Sequence, residues 1–245
     1  MLGEYTNLHN KAEAQKIQMS AVSDNRRVLK PIDGIQYHKI TGDIFDQAVS
    51  CSNYLLSTHT DPNGLIIEVN AILDAFKFKK NTSNGFEESF KLIAPYLGFD
   101  SQRPEQEYKK GPDVLWKMGE LKFLVIECKN EAATTTISKD YCNQLNGSCL
   151  WFTDKYDTSC SYTPIMVHPS TLFEHAASPE PAIRIITKEK LRIYCNAVRD
   201  FIKSVASKNE LGNPEAIREK LIAYELRASD IVEKFTESFY RKNQP

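Results

Sequence analysis

GPDVLWKMGELKFLVIECKN, residues 111–130, is the stretch on which the fold turns. A Gly-Pro turn precedes Asp113, and VLWK follows it. Beyond a turn near Gly119 comes the apolar run Phe123 to Ile126, which ends in Glu127, Cys128 and Lys129. The pattern predicts two strands joined by a short hairpin. Side chains alternate faces along a strand, so Glu127 and Lys129 point one way while Cys128 points back into the core. Asp113 opens the first strand, and the hairpin brings it close to the end of the second. Two carboxylates and one ammonium therefore converge on one spot.

The pattern outside the hairpin predicts the rest of the core. GFEESFKLIAPYLGFD (85–100) reads as a helix with Phe86, Phe90, Ile93 and Leu97 on one stripe, a kink at Pro95 and a stop at Gly98. A weak extended piece follows at 100–104. SKDYCNQLNGSCLWFTDKY (138–156) is helical with Ser138 as its cap, and SYTPIMVHPS is a short strand. IRIITKEKLRIYCNAVRDFIKSVA reads as a strand, a Thr187 cap and a long helix, and a last polar helix spans roughly 214–240. The central order is helix, three strands, helix, two strands, helix. It predicts an α/β fold with a small mixed sheet flanked by helices.

Before this core, residues 1–33 are polar and helix-forming. From Ile35 to about Phe78, apolar residues three and four apart predict two amphipathic helices: Ile44, Phe45, Ala48, Val49, Leu55 and Leu56, then Ile66, Ile67, Val69, Ile72, Leu73 and Phe76. Asp61-Pro62-Asn63-Gly64 is turn chemistry between them. The expected division is a helical N-terminal arm at 1–80, a core at 81–206 and a C-terminal helical extension at 207–245. The arm is the candidate contact for a partner or a second copy.

The chain has 245 residues and a formal net charge of −1, so bulk charge gives no sign of nucleic-acid binding. Its six cysteines are scattered, with no CxxC pair or Cys/His cluster at zinc spacing, and read as reduced thiols. The first residues lack an apolar signal region. No run approaches the roughly 20 apolar residues of a membrane span. These features predict a soluble, cytoplasmic chain with no membrane partner. No GxxxxGK[ST] loop occurs, so no nucleotide-driven motor is expected within it.

Two carboxylates in a shared site do not both stay charged cheaply, and a hard divalent cation resolves the conflict. Magnesium suits a few carboxylates together with waters and phosphate oxygens. A lysine beside them is placed to orient water or neutralise charge as a phosphodiester breaks. The expected metal ligands are Asp113 and Glu127, with Mg2+ as cofactor and Mn2+ as a substitute. Lys109, Lys110, Lys117, Lys122 and Lys139 surround this spot in the sequence reading and are candidate phosphate contacts. Trp116 and Trp151 are expected in the core, His168 in a structural turn, and Cys128 facing inward without a catalytic role.

Asp113 and the Glu127-x-Lys129 pair resemble the signature of the PD-(D/E)XK nucleases, the restriction-endonuclease-like superfamily. The resemblance covers about 85–206. It implies a restriction-endonuclease-like core and a metal-dependent endonuclease acting on DNA. Glu87, in preference to its neighbour Glu88, would be a further acidic residue on the preceding helix, a third metal ligand that completes or supports the site. Gln144 would be a polar residue on the following helix that orients substrate or Lys129. The wording GFEES…GPDVLW…FLVIECKN…VHPS…ASP resembles nuclease domains attached to, or encoded with, helicases of bacterial anti-phage systems. The implied partners are DNA and a helicase or other defence protein, or a second copy of the chain. The alternative is a nuclease fold, inactive or regulated, that binds nucleic acid or a partner protein within a larger assembly.

Overall fold

A computed structural model of the chain describes residues 2–7, 11–25, 27–28, 37–40 and 44–241. Ile35, the expected start of the helical pattern, lies outside the described residues. Helices α1 (Leu2–Asn7) and α2 (Lys11–Asp24) open the chain, followed by α3 (Gln47–Thr58) and α4 (Pro62–Asp74). Asp46 caps α3 by accepting from the backbone N–H groups of Ala48 and Val49. Asp61 does the same for α4, accepting from Asn63 and Gly64, with Pro62 at the first helical position where it loses no hydrogen bond.

Helix α5 (Ser83–Ile93) leads into a 3-10 turn, Pro95–Leu97. The turn closes at Gly98, whose φ of 78° lies in the left-handed region. A Cβ there would stand 2.1 Å from the Gln47 carbonyl oxygen, so only glycine fits. Next come β1 (Asp100–Gln102), the short α6 (Pro104–Tyr108), β2 (Val114–Lys117) and β3 (Lys122–Cys128). Helix α7 (Lys139–Lys155) follows, then β4 (Ser161–Val167), β5 (Leu172–Phe173), β6 (Arg184–Ile186) and α8 (Lys188–Ser207). The chain finishes with α9 (Pro214–Ala223), α10 (Ile231–Phe235), β7 (Glu237–Ser238) and β8 (Tyr240–Arg241). The expected caps Ser138 and Thr187 sit at the starts of α7 and α8, accepting from Tyr141 and Lys190 N–H respectively.

The main sheet has six strands in the order β1-β2-β3-β4-β6-β7. β2 runs antiparallel to both its neighbours, β1 and β3; β3, β4 and β6 run parallel, and β7 returns antiparallel. This is a mixed α/β fold with a mixed central sheet flanked by helices. The two faces divide the strand residues by parity. Val114, Trp116, Leu124, Ile126, Ile165 and Val167 belong to the core shared with α3, α4, α5, α8 and α9. Leu115, Phe123, Val125 and Met166 pack against Cys142, Leu145, Cys149 and Phe152 of α7. Full burial of Phe86 and Phe90 on α5 contributes roughly 1.5–3 kcal/mol each to the first of these cores. The Trp116 indole N–H donates to the Phe90 carbonyl at 2.8 Å and fixes α5 against β2.

Two expectations differ from the structure. The last helix does not run through 214–240: it stops at Tyr224, where Glu225 takes a φ of 57° and Leu226 turns back to bury itself in the core. The left-handed residue costs roughly 1–2 kcal/mol, and burial of Leu226 offsets it. The apolar pattern of α3 and α4 is also wider than the face they bury. α3 buries Ala48, Cys51, Ser52 and Leu55, which leaves Val49 and Leu56 outward, as are Phe45 before it and Ile67 on α4. The segment expected as an arm nonetheless supplies residues to the same core as α5 and α8.

Candidate active site

The β2–β3 register, with Val114 opposite Ile126, places Asp113 opposite Glu127. Both lie on the α7 side of the sheet, at the end where β3 finishes. Both are buried. Asp113 Oδ2 accepts from the Cys128 backbone N–H at 2.7 Å. Lys129 Nζ stands 3.0 Å from Glu127 Oε2 and 3.6 Å from Asp113 Oδ2, bridging the two carboxylates. The Lys129 backbone N–H donates to Val167 O at 2.8 Å, so the parallel pairing with β4 continues past the last strand residue and holds the lysine in place. The other oxygen of Glu127, Oε1, accepts from the Ser148 hydroxyl on α7 at 2.7 Å. Cys128 faces the opposite core, as the alternation requires.

Glu87 lies on α5 beside this cluster, with its carboxylate paired to Arg103, the residue between β1 and α6. The same guanidinium reaches Glu88 Oε2 and Asn84 Oδ1, each at 3.0 Å. Glu105, in the first turn of α6, lies against Asp113.

The electrostatics report a pocket with more carboxylate than counter-charge. Burial, followed by the Asp113 charge, pushes Glu127 up to about 7, against the opposing pull of Lys129 and Ser148. Glu105 is pushed up to about 7 by its hydrogen bond with Asp113 and by burial. Glu87 is raised by burial and by Asp113, against the pull of Arg103. Burial alone would depress Lys129, but the charges of Glu127 and Asp113 outweigh it and hold the ammonium protonated. Among the described residues, no three His, Cys, Asp or Glu side chains form a group ready to enclose a metal ion. Asp113 and Glu127 are hard oxygen donors in a pocket short of positive charge. Their chemistry suits a hydrated Mg2+, which takes one or two carboxylates and fills its remaining positions with water and phosphate oxygens.

Of the residues singled out from sequence, Asp113, Glu127 and Lys129 are in contact, and Glu87 joins them through the field of Asp113. Gln144 lies on the α7 stripe between Tyr141 and Ser148 but is exposed, with no hydrogen bond to Lys129. Lys109 and Lys110 are exposed on the loop before Asp113, and Lys139 is exposed at the start of α7. Lys117 does not belong here. It is buried at the far end of β2, opposite Asp100 and Phe123, roughly 13 Å along the strand from Asp113. Lys122 begins β3 at that same far end. Trp116 is in the core, and Trp151 packs its ring against Tyr37 at 4.7 Å. His168 is fully buried in the turn after β4, its Nδ1 accepting from the Ser170 N–H at 2.9 Å.

Sequence reasoning missed Ser148, Arg103 and Glu105. Ser148 falls one helical turn after Gln144 on the same α7 stripe, a spacing that would have found it. Arg103 and Glu105 come from a segment with no apolar period, so nothing in the pattern placed them.

Comparison with protein-family models, curated proteins and solved structures finds no match to this chain.

Proposed function

We propose that the chain is a metal-dependent nuclease that hydrolyses phosphodiester bonds in DNA, of the PD-(D/E)XK kind that its hairpin resembles. One observation carries this reading: Lys129 bridges Asp113 and Glu127 at the end of a buried strand, in a pocket whose carboxylates outnumber its cations. The order of helix, three strands, helix and parallel strand around that pocket supports it. So do the exposed Lys109, Lys110 and Lys139 as contacts for the phosphate backbone. Asp113 and Glu127 would hold the divalent ion, with Glu87 as a further carboxylate. The bound ion supplies charge neutralisation at the phosphate and an acidified water.

The chain's own residues do the rest. Ser148 orients Glu127 by donating to one oxygen and leaving the other toward the cluster. The Cys128 N–H holds Asp113 Oδ2 in place. Lys129, kept charged, donates to the attacking water or to the oxygen on which charge develops. The resemblance extends the proposal to bacterial anti-phage defence, with a helicase-type partner delivering the DNA.

The test is cleavage of plasmid and linear DNA with Mg2+ or Mn2+ and with EDTA, comparing the native chain with Lys129→Ala. Metal-dependent cutting, lost at least a hundredfold in the variant, is expected. Cutting that survives the substitution or the chelator would overturn the reading.

A second reading, a nuclease fold that binds without cutting, draws on a different feature. Lys129 and Arg103 already pair with Glu127, Asp113 and Glu87, so the cluster forms a connected network among its own side chains. DNA binding without cutting, with partner and metal both present, would favour it.

A further inference from the structure

Arg103 is 3% exposed, and its guanidinium is enclosed by groups from one helix. Nη1 donates to Asn84 Oδ1 and Glu88 Oε2, each at 3.0 Å, and Nη2 donates to Glu87 Oε2. The fork therefore holds two consecutive carboxylates from two separate nitrogens in one rigid plane. Its base is held as firmly. The Arg103 backbone N–H donates to Glu107 Oε1 at 3.3 Å, and the same oxygen pairs with Lys91 Nζ of α5 at 2.6 Å. The segment that carries Arg103 is thus tied to α5 a second time, through Lys91 and Glu107. The Arg103 Nε is buried and has no hydrogen-bond partner among the described residues. Burial of a guanidinium with one donor unmet is costly.

We propose that Arg103 is the positioning residue for Glu87: its guanidinium holds one oxygen of that carboxylate and aims the group at the rim of the Asp113–Glu127–Lys129 cluster, where it helps to hold a divalent cation. This rests on the nuclease reading above. Glu87 Oε2 accepts from Arg103, which leaves Oε1 for the cation. Without the guanidinium, the Glu87 side chain would sample several rotamers and spend little time in that orientation. Residues that orient a metal ligand without touching the metal commonly cost roughly 10–100-fold in metal affinity when removed.

The experiment is a Mn2+ titration of the full chain, with free Mn2+ followed by its electron paramagnetic resonance signal. The variants are Arg103→Met, Arg103→Lys, Glu87→Gln and Glu87→Gln combined with each Arg103 change, all checked for folding by circular dichroism. Arg103→Met is expected to raise the Mn2+ dissociation constant roughly 10–100-fold. Arg103→Lys, which keeps the charge but loses the fork, should show a smaller rise. In the Glu87→Gln background neither change should weaken binding further, because Arg103 acts through Glu87. If Arg103→Met fails to fold, Arg103→Lys with and without Glu87→Gln carries the same comparison. Native affinity in the folded Arg103 variants, or losses that add to that of Glu87→Gln, would overturn the positioning role alone. A native chain that binds no Mn2+ would overturn the metal-nuclease reading and this role with it.

Discussion

Asp113 is tied to the residue between Glu127 and Lys129: its Oδ2 accepts from the Cys128 backbone N–H at 2.7 Å. One carboxylate oxygen therefore serves both the hairpin backbone and the charge cluster. The two roles separate by substitution. Asp113→Ala leaves a buried N–H without a partner, and we expect a loss of about 1–3 kcal/mol in urea unfolding. Asp113→Asn keeps an acceptor in that position and should retain most of the stability. Both should abolish metal-dependent cutting, so the Asn variant isolates the chemistry from the fold.

Glu127 sets a pH dependence whose sign follows from its direction of shift. Its folded pKa is raised from the usual 4.5 to about 7, mainly by burial and by Asp113. Between those values the folded chain binds this proton and the unfolded chain releases it. Stability should therefore fall as pH rises from about 4.5 to 7, and level off above that. Glu87 and Glu105 are shifted in the same direction and add to the slope. Burial lowers the His168 pKa, which gives the opposite slope below about pH 6.5. The decline is therefore read in EDTA across pH 5 to 8 as the urea stability of the native chain minus that of Glu127→Gln. A difference that stays constant or grows through this window would contradict the assignment.

Ser148 and Gln144 sit four residues apart on one stripe of α7 but have different contacts. The Ser148 hydroxyl donates to the buried Glu127 Oε1 at 2.7 Å, while Gln144 is exposed. Hydrogen bonds to charged groups contribute roughly 1.5–3 kcal/mol, so at a pH above 7, where Glu127 is ionised, Ser148→Ala should lose about that much in chemical denaturation. Gln144→Ala should stay within about 0.5 kcal/mol of the native chain. Equal losses in the two variants would mean that Gln144 has a role in the folded chain beyond its exposed position.

Much of this arrangement was legible before the structure. The hairpin could be read because a buried strand needs an apolar run, and the run at 123–126 ends where charge begins. Alternation alone then placed Glu127 and Lys129 on one face and Cys128 on the other. Caps at Ser138 and Thr187 could be read because short polar side chains satisfy otherwise orphaned N–H groups at helix starts. Lys117 was misplaced because proximity in sequence to Asp113 was taken for proximity in space, whereas a strand carries its two ends apart. The break at Glu225 had no signal, since neither glycine nor proline marks it and the burial of Leu226 decides it. Arg103 was invisible for a related reason: its partners on α5 lie more than a dozen residues upstream, and only the packing of β1 against that helix brings them together.

The sheet is also closed to growth from its sides. β1 has three residues and β7 has two, so each outer edge offers only a short row of unpaired backbone groups. The first edge is covered further, because the Gln102 side-chain amide donates to the His38 carbonyl at 2.9 Å. Long, flat edges recruit strands from other chains, and short or covered ones resist it. Self-association by strand addition is therefore disfavoured on both sides, and a companion protein would meet this molecule through its helices and loops.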